Sequence, residues 1–93
     1  MSVFNDYDEL TWVATIVGAH GIKGAVRVKY FTDTPDYYLN VELFFLESES
    51  QLQNLKVLQI RPTKSGWIVL FEEIDSRTAA ENLKSCRLLL PAD

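Results

Sequence analysis

The sequence predicts an all-β fold, a small barrel or sandwich, on three features. Apolar residues recur with period two or run in short blocks at 12–19, 25–31, 41–46, 55–61, 67–71 and 86–90, as they do in strands with one or both faces covered. Clusters of turn-forming residues separate the blocks. Only the stretch from Asp75 to Lys84 changes to a helical period. Many short strands joined by turns build barrels or sandwiches, and closure removes the open edges that a small sheet would otherwise expose.

Residues 1–11 are polar and acidic, with Asp6, Asp8 and Glu9, and are expected to form a flexible lead-in to a single domain over 12–93. Trp12 to Ala19, rich in Val, Ile and Thr, reads as the first strand. Gly18, Gly21 and Gly24 then sit three apart and predict a tight strand–loop–strand connection with His20 and Lys23 at its tip. Ala25 to Phe31 alternates, Val26, Val28 and Tyr30 on one face against Arg27 and Lys29 on the other. Pro35 breaks this strand. Tyr37, Tyr38 and Leu39 either cap one end of the core or present an aromatic pair to a partner.

Val41 to Leu46 is a third strand, and Glu47 to Gln51 is read as a polar turn. Leu55 to Arg61 is a fourth strand, ended by Pro62, and Pro62 to Gly66 is a hairpin loop. Trp67 to Phe71 is nearly all apolar, so both its faces are expected to be covered. The helix has Asp75 or Ser76 as N-cap, and Ala79, Ala80 and Leu83 share the face expected to pack on the barrel end. Cys86 to Leu90 is a sixth strand, stopped by Pro91.

A chain of 93 residues is long enough for one domain with a thin core, and 47% hydrophobic residues exclude a disordered tail. No apolar run approaches the roughly 20 residues of a membrane helix, and the acidic start is unlike a signal peptide. No membrane partner is expected. The single cysteine, Cys86, allows no internal disulfide, which favours a reducing, cytoplasmic setting. The net charge of -4 opposes nucleic acid in bulk. Locally, His20 to Tyr30 carries Lys23, Arg27 and Lys29 and no acid, whereas acids gather at the N-terminus and around residues 42–49 and 72–75. This basic strip is either a solvated face or a phosphate contact.

Catalysis finds no support. The glycine loop is neither a P-loop nor a dinucleotide fingerprint, because Lys23 precedes Gly24 and a strand follows where both motifs need a helix. One His and one Cys form no nucleophile pair and, with scattered carboxylates, no metal loop. No enzyme activity, metal or cofactor is expected, and Cys86 reads as a small buried apolar residue.

The stretch Val17-Gly18-Ala19-His20-Gly21-Ile22-Lys23-Gly24-Ala25-Val26-Arg27-Val28 resembles the opening motif of the RimM ribosome maturation factors. Phe31-Thr32-Asp33 followed by Pro35 is similar to that family's next landmark, and Glu73-Ile74-Asp75-Ser76-Arg77-Thr78-Ala79-Ala80-Glu81 to its third. The resemblance implies a closed six-stranded antiparallel barrel, like the second domain of translation factors, with one short helix before the last strand. It implies an accessory factor for assembly of the small ribosomal subunit in the head region and for ribosomal RNA maturation. The second, PRC-type barrel that members usually carry is not expected in this chain. The expected contact residues are His20, Gly21, Lys23, Gly24, Arg27 and Lys29, with a head-region ribosomal protein and ribosomal RNA as candidate partners of a monomer. Two other readings stay open: a protein-interaction barrel without RNA contact, and a barrel that binds flavin or another small ligand.

Overall fold

All six expected strands form, and they close into a ring. The computed structural model describes residues 10–49 and 51–91. The strands are β1 (Leu10–His20), β2 (Ala25–Tyr30), β3 (Leu43–Ser48), β4 (Gln51–Pro62), β5 (Trp67–Phe71) and β6 (Arg87–Pro91). They pair antiparallel in the order β1-β2-β5-β4-β3-β6 and return to β1. A 3-10 helix (Pro35–Asn40) links β2 to β3, and a short α-helix, α1 (Arg77–Glu81), precedes β6.

The alternation read from β2 is the alternation found: Val26 and Val28 point inward, Arg27 and Lys29 outward. Inward side chains from all six strands fill the barrel, and Trp67, Phe44 and Phe71 are the largest that are fully buried. Trp67 is central, with its ring centroid 5.0 Å from Tyr30, 5.8 Å from Tyr38 and 6.3 Å from Phe44. Its indole N–H is buried without a hydrogen-bond partner among the described residues. Such a group costs about 1–3 kcal/mol, set against the burial of a large ring and contacts of about 0.5–1.5 kcal/mol per aromatic pair. Tyr38 and Leu39 pack on this core, so that part of the aromatic run caps it; Tyr37 stands 77% exposed.

Four details differ from the expectation. β1 starts at Leu10, which pairs with Pro91, so Leu10 and Thr11 belong to the barrel; the rest of the expected lead-in lies outside the described residues. The polar stretch 47–51 is mostly strand. Ser48 pairs with Gln51, and Glu49, at φ 46°, makes the turn. Residues 51–54 are exposed, so only backbone pairing marks them as strand and no apolar period announces them. The helix is shorter than 75–84: Ser76 caps it by accepting from the Ala79 amide at 3.1 Å, and Ala80 and Leu83 are buried against the barrel. Finally, β5 is covered on one face only. Trp67, Val69 and Phe71 are buried, while Ile68 and Leu70 face outward and are half-buried, because no element among the described residues lies across them.

Candidate functional site

The outer surface of β2, β5 and β4 collects charge of one sign. Arg27 on β2 pairs with Ile68 on β5, and Ile68 pairs with Arg61 on β4. Two arginines therefore lie in one row, about 10 Å apart at the strand spacing, across a half-buried isoleucine. Lys29 follows Arg27 on the same face, and Lys64 sits in the β4–β5 loop, whose Thr63 amide donates to the Gly66 carbonyl at 2.8 Å. Lys23 and His20 stand exposed at the end of β1 and in the loop after it.

Pairing divides the cations. Among the described residues, three of the nine Lys and Arg side chains form ion pairs: Lys56 with Glu72 at 3.8 Å, Arg77 with Glu81 at 2.8 Å and Arg87 with Glu47 at 3.7 Å. Lys23, Arg27, Lys29, Arg61, Lys64 and Lys84 have no acidic partner among the described residues; the first five lie on this face, where no acid lines the depressions between them, and Lys84 lies away from it in the turn after α1. A chain of net charge -4 thus carries a positive face. Unpaired surface cations at one place form a field that attracts phosphate.

Two glycines shape this face. Gly18 lies directly beneath Arg27: a Cβ there would come within 2.7 Å of a terminal guanidinium nitrogen. The Arg27 side chain is thereby laid across β1, its Nε donating to the Ala19 carbonyl at 3.4 Å. Gly24 is buried at φ 106°, and a Cβ would meet the Ile74 carbonyl oxygen at 2.4 Å and the Ser76 amide at 2.9 Å. The close approach that Gly24 permits is made to its own chain. Gly21, at φ 73°, is exposed, and a Cβ there would meet nothing within 4 Å among the described residues. Its carbonyl accepts from Arg77 at 2.9 Å.

The expected residues His20, Gly21, Lys23, Arg27 and Lys29 are therefore brought together and exposed, with Gly24 behind them as the support of the loop. Arg61 and Lys64 join the face without having been picked out. The signal was available in the hairpin: a short loop over 62–66 sets Arg61 opposite Ile68, and strand pairing carries it beside Arg27. Away from this face, burial and the charge of Glu49 push the Cys86 thiol above its ordinary value, which suits an inert side chain. Among the described residues, no three His, Cys, Asp or Glu cluster to hold a metal ion.

The family model of the RimM N-terminal domain matches residues 11–93. The ribosome maturation factor RimM of Thermosynechococcus vestitus is 39% identical over 93 residues, covering 96% of this chain and 51% of that protein. The corresponding factor of Zymomonas mobilis is 34% identical over 84 residues, covering 90% and 49%. A crystal structure of a 16S ribosomal RNA processing protein RimM from Pseudomonas aeruginosa has the same fold, with a TM-score of 0.80 at 23% identity over 88% of this chain and 50% of that one. The chain spans about half the length of the curated relatives it matches. With the domain match running across the whole barrel, the conclusion is one of kinship: the chain belongs to the RimM family of ribosome maturation factors, by way of that family's N-terminal domain.

Proposed function

We propose that this chain serves assembly of the small ribosomal subunit, in its head region, and maturation of ribosomal RNA, by binding and not by catalysis. The supporting observation is the single face on which Lys23, Arg27, Lys29, Arg61 and Lys64 stand without acidic partners among the described residues. A rigid closed barrel offers these cations at fixed positions, so phosphate contacts form without the ordering cost of a loose segment. The work is done by a monomer in the cytoplasm that holds an immature RNA junction until its neighbours dock. The acidic remainder of the surface, including Glu72, Glu73 and Asp75, is suited to a basic ribosomal protein of the head, since complementary charge speeds encounter.

The test is the double variant Lys23→Glu, Arg27→Glu. Its association with small subunits is expected to weaken at least about tenfold, while its thermal melt stays within about 1 kcal/mol of the parent, as exposed sites allow. Parent association is expected to fall steeply with added salt as counterions are released. Unaltered association of the variant overturns the assignment. A flat salt response favours the second reading, a barrel that meets only protein.

A further inference from the structure

The positive face is not uniform, and its relief says more than its charge. Two depressions adjoin on the outside of β2, β5 and β4, sharing His20 and Ile68. The first, about 420 Å³, offers Arg27, Lys29 and Lys64 with the hydroxyls of Thr63 and Ser65. The second, about 300 Å³, has an apolar floor of Ala25, Ile68 and Leu70 and a wall of Ile22, which is 79% exposed. Gln59 stands at its side, and Lys23 and Arg61 lie on its rim.

We infer that this face takes an unpaired nucleotide of RNA, its phosphate in the first depression and its base in the second. The first has a partly apolar base, with Val17 and Ile68 among its lining, and its cations and hydroxyls converge over that base on a tetrahedral anion. Arg27 is laid on Gly18 with its Nε committed to Ala19, so its terminal nitrogens remain for an oxygen ligand, flanked by two ammonium groups and two hydroxyls. The second is built for a flat apolar face with a polar edge: half-buried aliphatic carbon below, and at the side an amide and an imidazole that donate and accept hydrogen bonds. A duplex presents phosphates and hides its base faces, so it engages the first depression and leaves the second empty. A nucleotide out of the stack engages both, which is how single-stranded and loop RNA is usually recognised. An acidic peptide with one apolar side chain shares part of this chemistry. The ring of five cations around both depressions favours a strand that carries one charge per residue.

The inference rests on the RNA reading above and fails separately from it. Binding of the protein to a labelled single-stranded RNA of about a dozen nucleotides is compared with binding to a hairpin duplex of the same composition at one salt concentration. The single strand is expected to bind about tenfold more tightly. Ile22→Ser, at a position too exposed to affect folding, is expected to lower single-strand affinity several-fold and leave duplex affinity unchanged; Lys29→Glu is expected to weaken both. Equal affinity for the duplex, or single-strand affinity indifferent to Ile22→Ser, overturns the nucleotide inference while the phosphate contact stands on Lys29→Glu. Binding to neither RNA, with association to small subunits retained, overturns both and gives the face to an acidic protein segment.

Discussion

The guanidinium of Arg77 donates to the carbonyl oxygen of Gly21 at 2.9 Å, while its Nε donates to Glu81 at 2.8 Å. One side chain thus ties the first residue of α1 to the tip of the β1–β2 loop. Gly24 completes the joint by packing on Ile74 and Ser76. The opening glycine motif and the motif around Arg77, far apart along the chain, are two halves of one support. Arg77→Ala is expected to cost under about 1 kcal/mol, since both bonds are exposed. The amides of residues 21–24 should exchange with solvent faster, and affinity for RNA should fall. Unchanged exchange would mean that Gly24 alone holds the loop.

The glycines should rank by what a methyl group would meet. Gly24→Ala combines a left-handed φ of 106° with a contact of 2.4 Å to a backbone oxygen, and Gly66→Ala places a Cβ 1.9 Å from the Val28 carbonyl oxygen. Neither obstacle is a movable side chain, so losses of several kcal/mol or failure to fold are expected. Gly21→Ala meets nothing within 4 Å and pays only for its φ of 73°, about 1 kcal/mol. Gly18→Ala meets only the end of Arg27. It should leave the urea midpoint nearly unchanged while weakening RNA binding, because Arg27 is pushed off its seat.

Unpaired and paired cations should differ in their salt signature. Arg61→Ala and Lys64→Ala are each expected to reduce the slope of log affinity against log salt by about 0.7 for a single strand. Lys56→Ala, whose ammonium is paired with Glu72, should leave the slope as it was. Equal effects at all three positions would show that the face has no special role.

Phe44 is fully buried between Trp67 and Phe71, with ring centroids 6.3 Å from each. Phe44→Ala should cost about 3–5 kcal/mol, a large share of the 5–15 kcal/mol typical of a whole domain. Urea denaturation reads this directly.

In the folded chain Cys86 binds its proton more tightly than in the unfolded chain, because burial and then Glu49 disfavour the thiolate. The stabilisation is complete below the unfolded thiol value and is lost as pH rises through the raised one. The melting temperature of the parent should therefore fall more steeply in the alkaline range than that of Cys86→Ala. Parallel slopes would show that the thiol already titrates normally.

Strand positions were legible because alternation is local: Val26, Val28 and Tyr30 against Arg27 and Lys29 needs no knowledge of the rest of the chain. Partners were not. The adjacency of Arg61, Ile68 and Arg27 is a product of register across three strands. An apolar β5 announces a wish for burial and not what supplies it, so the open groove over Ile68 and Leu70 could not be foreseen. Gln51 to Asn54 carry no period because water surrounds their side chains. The glycine motif showed that close approach was needed at Gly24; that the approached atoms belong to residues 74–76 appears only in the folded chain.

β6 hydrogen-bonds to β1 on one side and β3 on the other, with Leu10 opposite Pro91. While the polypeptide is still being synthesised, the first five strands have no sixth to lie between them, and two raw sheet margins face the cell. Cooperative folding must wait until residue 91 has left the exit tunnel, and nearly the full sequence separation must then be bridged in one closing step, the slow kind. A truncation that removes the last strand would yield a sticky, protease-sensitive fragment rather than a smaller version of the domain.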